Sequence, residues 1–311
     1  MYFRCAASGL LSGFMTLALC MAIVVSGSST ARSAEPVGSV TTNSFASRSI
    51  ELSNHVRKLQ GRLPAGFTWT WQAPFVVIGD EAPSVVRQRA TNTVKWAVDL
   101  LKRDFFKRDP SSIIDIWLFK DKASYEKWTR ELFQDTPTTP FGYYSPRHEA
   151  LLMNISTGGG TLVHEIVHPF MSANFSGCPA WFNEGLASLY EASGERNGHI
   201  RGYTNWRLPA LQESIRSGGL LPFAKLMALS ADDFYGGGNG RNYSQHYAQA
   251  RYLCYHLQEQ GLLVKFYKRY VAGVKNDPTG VEALKSVLNE TDLKAFQQRW
   301  ERMVLGLRVE R

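Results

Sequence analysis

With 311 residues the chain is long enough for one large domain or two modest ones, and its hydrophobic (44%) and charged (20%) fractions are ordinary for a soluble globular protein. The formal net charge of +8 is spread along the sequence without a run of five basic residues, so no nucleic-acid partner is expected. Its 8 tryptophans and 17 phenylalanines speak for a filled core and against a disordered chain.

At the N-terminus, Arg4 precedes a mostly apolar stretch at 10–25, followed by small residues up to Ala31 and Ala34. This is the layout of a secretory signal, so residues 1–34 are expected to be a signal peptide and the protein to be exported, periplasmic or secreted. A retained anchor is the alternative, because the apolar run approaches spanning length. The large Leu19 before Cys20 argues against a lipid-modified cysteine. No later run is long enough to span a bilayer, so no membrane association is expected once the signal is removed. Outside the signal only Cys178 and Cys254 remain, and the sequence leaves their pairing open.

Residues 35–49 read as a Ser/Thr-rich linker and 50–63 as a short helix ended by Pro64, giving a linker and N-terminal helix over 35–65. Phe67-Thr68-Trp69-Thr70-Trp71 alternates, and Phe75-Val76-Val77-Ile78 is a continuous apolar run; both predict strands, broken at Pro74. Helical spacing covers 84–106, a buried strand 113–119, a helix 122–133 and a further strand 150–155. Beyond Gly158-Gly159-Gly160 the pattern reads as helical to the C-terminus, with breaks at Gly218-Gly219 and at the glycine-rich 236–240, read as a surface loop rather than a mobile flap. The order predicts an α+β fold over 66–311: a small mixed sheet in an α+β half (66–175), then an all-helical half (176–311).

One short segment carries chemistry. His164-Glu165-Ile166-Val167-His168 places two imidazoles at i and i+4, one turn apart on one helix face, which suits two ligands of a tetrahedral zinc ion. Thr161 is a candidate N-cap for that helix, and Pro169 predicts a kink or an early end. Glu165 stands where it can take a proton from a metal-activated water. A catalytic zinc needs a third protein ligand, and Glu184 follows His168 after fifteen intervening residues, on a second predicted helix opened by Pro179. Glu191, two turns further on, reads equally as an acceptor for a ring N–H of a ligating histidine or as a solvated carboxylate. His55, His148, His199 and His256 have no ligand spacing and read as structural.

His164-Glu165-Ile166-Val167-His168 together with Trp181-Phe182-Asn183-Glu184-Gly185-Leu186-Ala187 resembles the gluzincin metallopeptidases. The likeness is to the peptidase MA-like family, with some similarity to the aminopeptidase branch and its W-x-N-E-G-x-A segment, and it extends over about 75–270. The resemblance implies a gluzincin-like fold with a metallopeptidase-like domain at 66–311. It implies one Zn²⁺ on His164, His168 and Glu184, Glu165 as general base, and a peptide or protein substrate. It also implies a Tyr or His from the helical half to stabilise the oxyanion. Tyr247 is the first candidate and His246 the second, unless both simply pack their helix. The strand at 151–155 resembles the edge strand along which gluzincins lay the peptide. Aminopeptidases of this clan hold the substrate amine with a nearby glutamate; Leu152-Met153-Asn154-Ile155 has none, which favours an endopeptidase. The other classes compatible with the residues are a non-catalytic zinc-containing envelope protein and a metal-dependent hydrolase of another amide or ester.

Overall fold

The computed structural model describes residues 39–137, 139–236 and 243–309. The expected signal peptide and the glycines at 237–240 lie outside the described residues. The chain divides into two compact units at Leu63 and Pro64. The first contains α1 (Ser39–Gln60), which begins well before the expected helix start, so the stretch read as linker from 39 onward is helical. Its serines, threonines and Asn43 are weak helix formers, but extending an existing helix gains one hydrogen bond per residue fixed, and propagation wins over propensity. Among the described residues no helix is long and apolar enough to cross a membrane.

The second unit is built on a five-stranded sheet of β1 (Thr68–Gln72), β2 (Phe75–Gly79), β3 (Ile114–Phe119), β4 (Gly142–Ser145) and β5 (Ala150–Asn154), in the order β1-β2-β3-β5-β4. The central β2, β3 and β5 are parallel and buried throughout, which is why they read as unbroken apolar runs. The two outer strands are antiparallel to their neighbours. β3 divides its side chains by parity. Ile114, Ile116 and Leu118 enter the main core, while Trp117 meets Phe133 of α4 (Lys122–Phe133), ring centroids 5.4 Å apart. The crossover from β2 to β3 runs through α2 (Pro83–Arg89), a π-helical turn (Ala90–Lys95) and α3 (Trp96–Asp104).

The sheet corrects one expectation. β5 lies between β3 and β4, with every residue buried, so it has no free edge to offer a peptide. The outer strand on that side is β4, a four-residue segment too short and too rich in Gly and Tyr to announce itself by alternation.

The metal-motif helix α5 (Gly160–Asn174) runs through Pro169 for five further residues, so Pro169 does not end it. Gly159, not Thr161, is its N-cap. Next comes α6 (Ala180–Leu189), opened by Pro179. The half after α6 is not all-helical: β6 (Ser193–Arg196) and β7 (His199–Gly202) form an antiparallel hairpin. Asn197 (φ 53°) and Gly198 (φ 79°) make its two-residue turn, the left-handed pair that matches the twist of a hairpin. Its strands alternate little in hydropathy, so periodicity misses them. Helices then follow: α7 (Leu208–Arg216), α8 (Phe223–Met227), α9 (Ala231–Phe234), α10 (Tyr243–Glu259), α11 (Leu263–Gly273), α12 (Val281–Leu288) and α13 (Leu293–Gly306). α10 crosses α6 closely, since a Cβ on Gly185 would stand 3.0 Å from the carbonyl oxygen of Ala250.

Candidate metal centre

One turn of α5 brings the rings of His164 and His168 to a centroid separation of 4.9 Å. α6 packs on α5 and supplies Glu184, whose Oε2 lies 3.3 Å from Nε2 of His164 and 3.8 Å from Nε2 of His168. The three ligand atoms fall within 4.8 Å of one another, the one group of this kind among the described residues. Donors about 2.0–2.1 Å from a tetrahedral zinc stand about 3.3 Å apart, so the spacing suits that ion.

The donor set passes a second test. Oε2 of Glu184 is buried and makes no hydrogen bond, whereas Oε1 accepts one from the Tyr235 hydroxyl at 2.8 Å. A buried carboxylate oxygen whose nearest polar neighbours are two imidazole nitrogens at 3.3 and 3.8 Å, neither in good hydrogen-bond alignment, is an acceptor that a cation satisfies. Two nitrogens and one oxygen would fill three positions of a tetrahedral ion and leave one for a non-protein ligand.

The far side of each ring is also held. Nδ1 of His168 lies 3.0 Å from Oδ1 of Asn183; the amide oxygen only accepts, so Nδ1 carries the proton and Nε2 keeps a lone pair toward Glu184. Nδ1 of His164 approaches Oε1 of Glu191 at 3.3 Å, without good hydrogen-bond alignment. Glu191 lies just past the end of α6, its side chain mostly buried and held by neighbouring donors rather than standing free in solvent. Arg207 donates to it through Nε (3.0 Å) and Nη2 (2.7 Å), and Asn205 through Nδ2 (3.1 Å). The backbone fits tightly here, since a Cβ on Gly160 would stand 2.0 Å from the carbonyl oxygen of Glu191. Arg251, wholly buried, donates to the carbonyls of Ser188 (2.9 Å) and Leu189 (3.3 Å) and so fixes the end of α6 from which Glu191 emerges.

The electrostatics follow from this packing. Burial would lower the pKa of His164, but the carboxylates of Glu184 and Glu191 on either side outweigh it and push it up to about 10 in the metal-free protein. Burial would raise Glu184, but His168, His164 and the Tyr235 hydroxyl bring it down to about 2. Glu191 is likewise held near 2, burial being outweighed by His164 and Arg207. Glu165, almost fully buried, moves the other way: burial raises it, His164 and His168 only partly offset that, and the two neighbouring carboxylates add to it. A carboxylate tuned upward is a better partner for a proton that must be taken up and given back near neutral pH.

Tyr247 lies in the same neighbourhood. Burial and then the charge of Glu184 hold its phenol well above the ordinary value, so it remains a donor, with the Arg207 guanidinium 5.3 Å from its ring centroid. His246 is engaged elsewhere, its Nδ1 donating to the carbonyl of Phe234 at 3.0 Å. Cys178 and Cys254 are free thiols. His148 and His199 bond the Phe133 carbonyl and Asp104, and His256 packs on Phe296. A recess of about 400 Å³ lined by Asn92, Thr93, Trp96, Val163, Glu191 and Ser193 contains none of the three ligand residues.

Sequence reasoning missed Asn183, Tyr235, Asn205 and Arg207. Asn183 could have been found, since it lies inside the quoted motif. The other three reach the site across 51, 14 and 16 residues and have no local signal. Comparison with protein-family models and with curated proteins gives no match.

Proposed function

We propose that the chain is a zinc-dependent peptidase of gluzincin type, holding one Zn²⁺ on His164, His168 and Glu184 and hydrolysing peptide bonds within peptide or protein substrates. The observation that carries this reading is the convergence of two histidine Nε2 atoms on one buried carboxylate oxygen of Glu184, with the buried Glu165 beside them. Neither the outer strand β4 (Gly142–Ser145) nor its neighbour β5 carries a carboxylate that could hold a substrate amine, which supports internal cleavage over removal of N-terminal residues. Action outside the cytoplasm, from the signal-like N-terminus, belongs to the same proposal.

When bound, zinc supplies a Lewis acid for the scissile carbonyl and lowers the pKa of a water molecule. Glu165 takes the proton from the attacking water on its carboxylate and returns it to the leaving amine nitrogen. Tyr247 donates its O–H to the carbonyl oxygen as negative charge develops there. β4, beside α5 and last in its sheet, offers an edge on which an extended peptide pairs through its backbone.

The test is to purify the chain, quantify bound metal and compare cleavage of mixed protein substrates by the wild type and Glu165→Gln. One zinc per chain with cleavage that Glu165→Gln lowers by about 10²–10⁴-fold is expected. Stoichiometric zinc with no cleavage identifies a binding protein instead, and no zinc overturns the reading.

A further inference from the structure

We infer that Tyr235 is a positioning residue that holds Glu184 as a one-oxygen ligand, and thereby keeps the fourth position of the metal for the reacting groups. The inference rests on the metal-centre reading above.

A carboxylate has two oxygens, and a zinc site with an open position needs only one of them. If both oxygens of Glu184 turned to the ion, the second would crowd the position of the carbonyl or water and raise the coordination number from four to five. The two oxygens are treated differently here. Oε1 accepts the phenolic O–H of Tyr235 at 2.8 Å, and Oε2 faces the imidazoles with no donor of its own. The Glu184 side chain is only 7% exposed, so little water stands ready to replace Tyr235 if Oε1 turned away. A hydrogen bond to a charged acceptor in such a place is strong, and breaking it leaves a polar group unsatisfied.

Tyr235 is itself rigidly delivered. It follows α9, whose N-cap Ser230 accepts from the backbone N–H of Asp233 at 3.1 Å. The N–H of Tyr235 closes that turn on the carbonyl of Ala231 at 3.0 Å. The preceding carbonyl, of Phe234, is pinned by His246 from α10. His246 therefore contributes to the site by anchoring the turn that carries Tyr235. The Tyr235 ring is flanked by Phe234 (centroids 5.6 Å apart) and Tyr247 (6.3 Å). Two tyrosines thus stand side by side with separate tasks, Tyr235 on the ligand and Tyr247 toward the substrate.

Tyr235→Phe removes one oxygen and keeps the ring packing, so it isolates the hydrogen bond. The full chain, wild type and Y235F, is loaded with Co²⁺ and its visible d–d spectrum recorded, and zinc affinity is measured by competition with a chelator. The wild type is expected to show the intense bands of four-coordinate cobalt. Y235F is expected to show weaker, five-coordinate bands and a zinc dissociation constant raised about 10- to 100-fold, the usual cost of losing an outer partner of a ligand. A purely packing role for Tyr235 would move the unfolding midpoint and leave the spectrum alone. An unchanged spectrum and affinity in Y235F overturns the inference while the metal centre stands. A wild type that binds neither metal overturns both.

Discussion

His164 and His168 leave the same face of α5, yet the regions behind them are made differently. Behind His168 stands a neutral amide, Asn183, one residue from the candidate ligand Glu184. Behind His164 stands Glu191, beyond the end of α6, itself clamped by Arg207 and Asn205 from the loop after the β6–β7 hairpin. A neutral acceptor fixes a ring's tautomer and orientation. A carboxylate also makes the imidazole more basic, but a buried charge costs desolvation, which Arg207 offsets. The lesson is that two equivalent positions of a short motif become inequivalent through residues far outside it.

The largest effect is expected where both regions converge. Glu165→Gln should lower kcat by about 10²–10⁴-fold while zinc content stays at one per chain, read by peptide hydrolysis and metal analysis. The asymmetry itself is tested next. Outer partners of metal ligands are worth about 10- to 100-fold in affinity, and Glu191→Gln should fall near the upper end and Asn183→Ala near the lower, by chelator competition. Equal losses would erase the distinction drawn between the two histidines.

The proton inventory sharpens it further. His164 in the metal-free protein is raised above its unfolded value of 6.5 to about 10, so its stabilising contribution is complete below 6.5 and is lost as pH climbs through 10. Glu184, lowered from 4.5 to about 2, contributes above 4.5 and loses that contribution as pH falls through 2. At pH 7.5, zinc uptake should therefore release close to one proton, measured by calorimetry in buffers of different ionisation heat. Glu191→Gln should reduce that number.

The smallest effect is expected away from the ligands. Asn197→Ala places an alanine in a left-handed turn and should cost about 1 kcal/mol of stability by denaturant unfolding, with zinc affinity unchanged. A fall in affinity would show that the hairpin positions the loop of Asn205 and Arg207.

Much of the site was legible because its signals are local. The i, i+4 histidines need only one helical turn, and Glu184 sits in a compact run with Trp181 and Gly185. The buried parallel strands announced themselves as apolar runs. The rest was decided by contacts between distant segments. β4 became the outer strand through pairing with β5, and Tyr235 reached Glu184 from 51 residues away. The hairpin is the instructive exception: Asn197-Gly198 is a strong turn signal, overlooked because the strands around it do not alternate in hydropathy.

Gly160 makes no bond to metal or substrate in any step described, yet the carbonyl of Glu191 occupies the space where its side chain would begin. Even a methyl group there would wedge the first turn of α5 away from the loop that backs His164. A library covering every position should therefore find residue 160 nearly as intolerant as the ligands themselves. The boundary of the candidate site is drawn by a missing side chain as much as by those that are present.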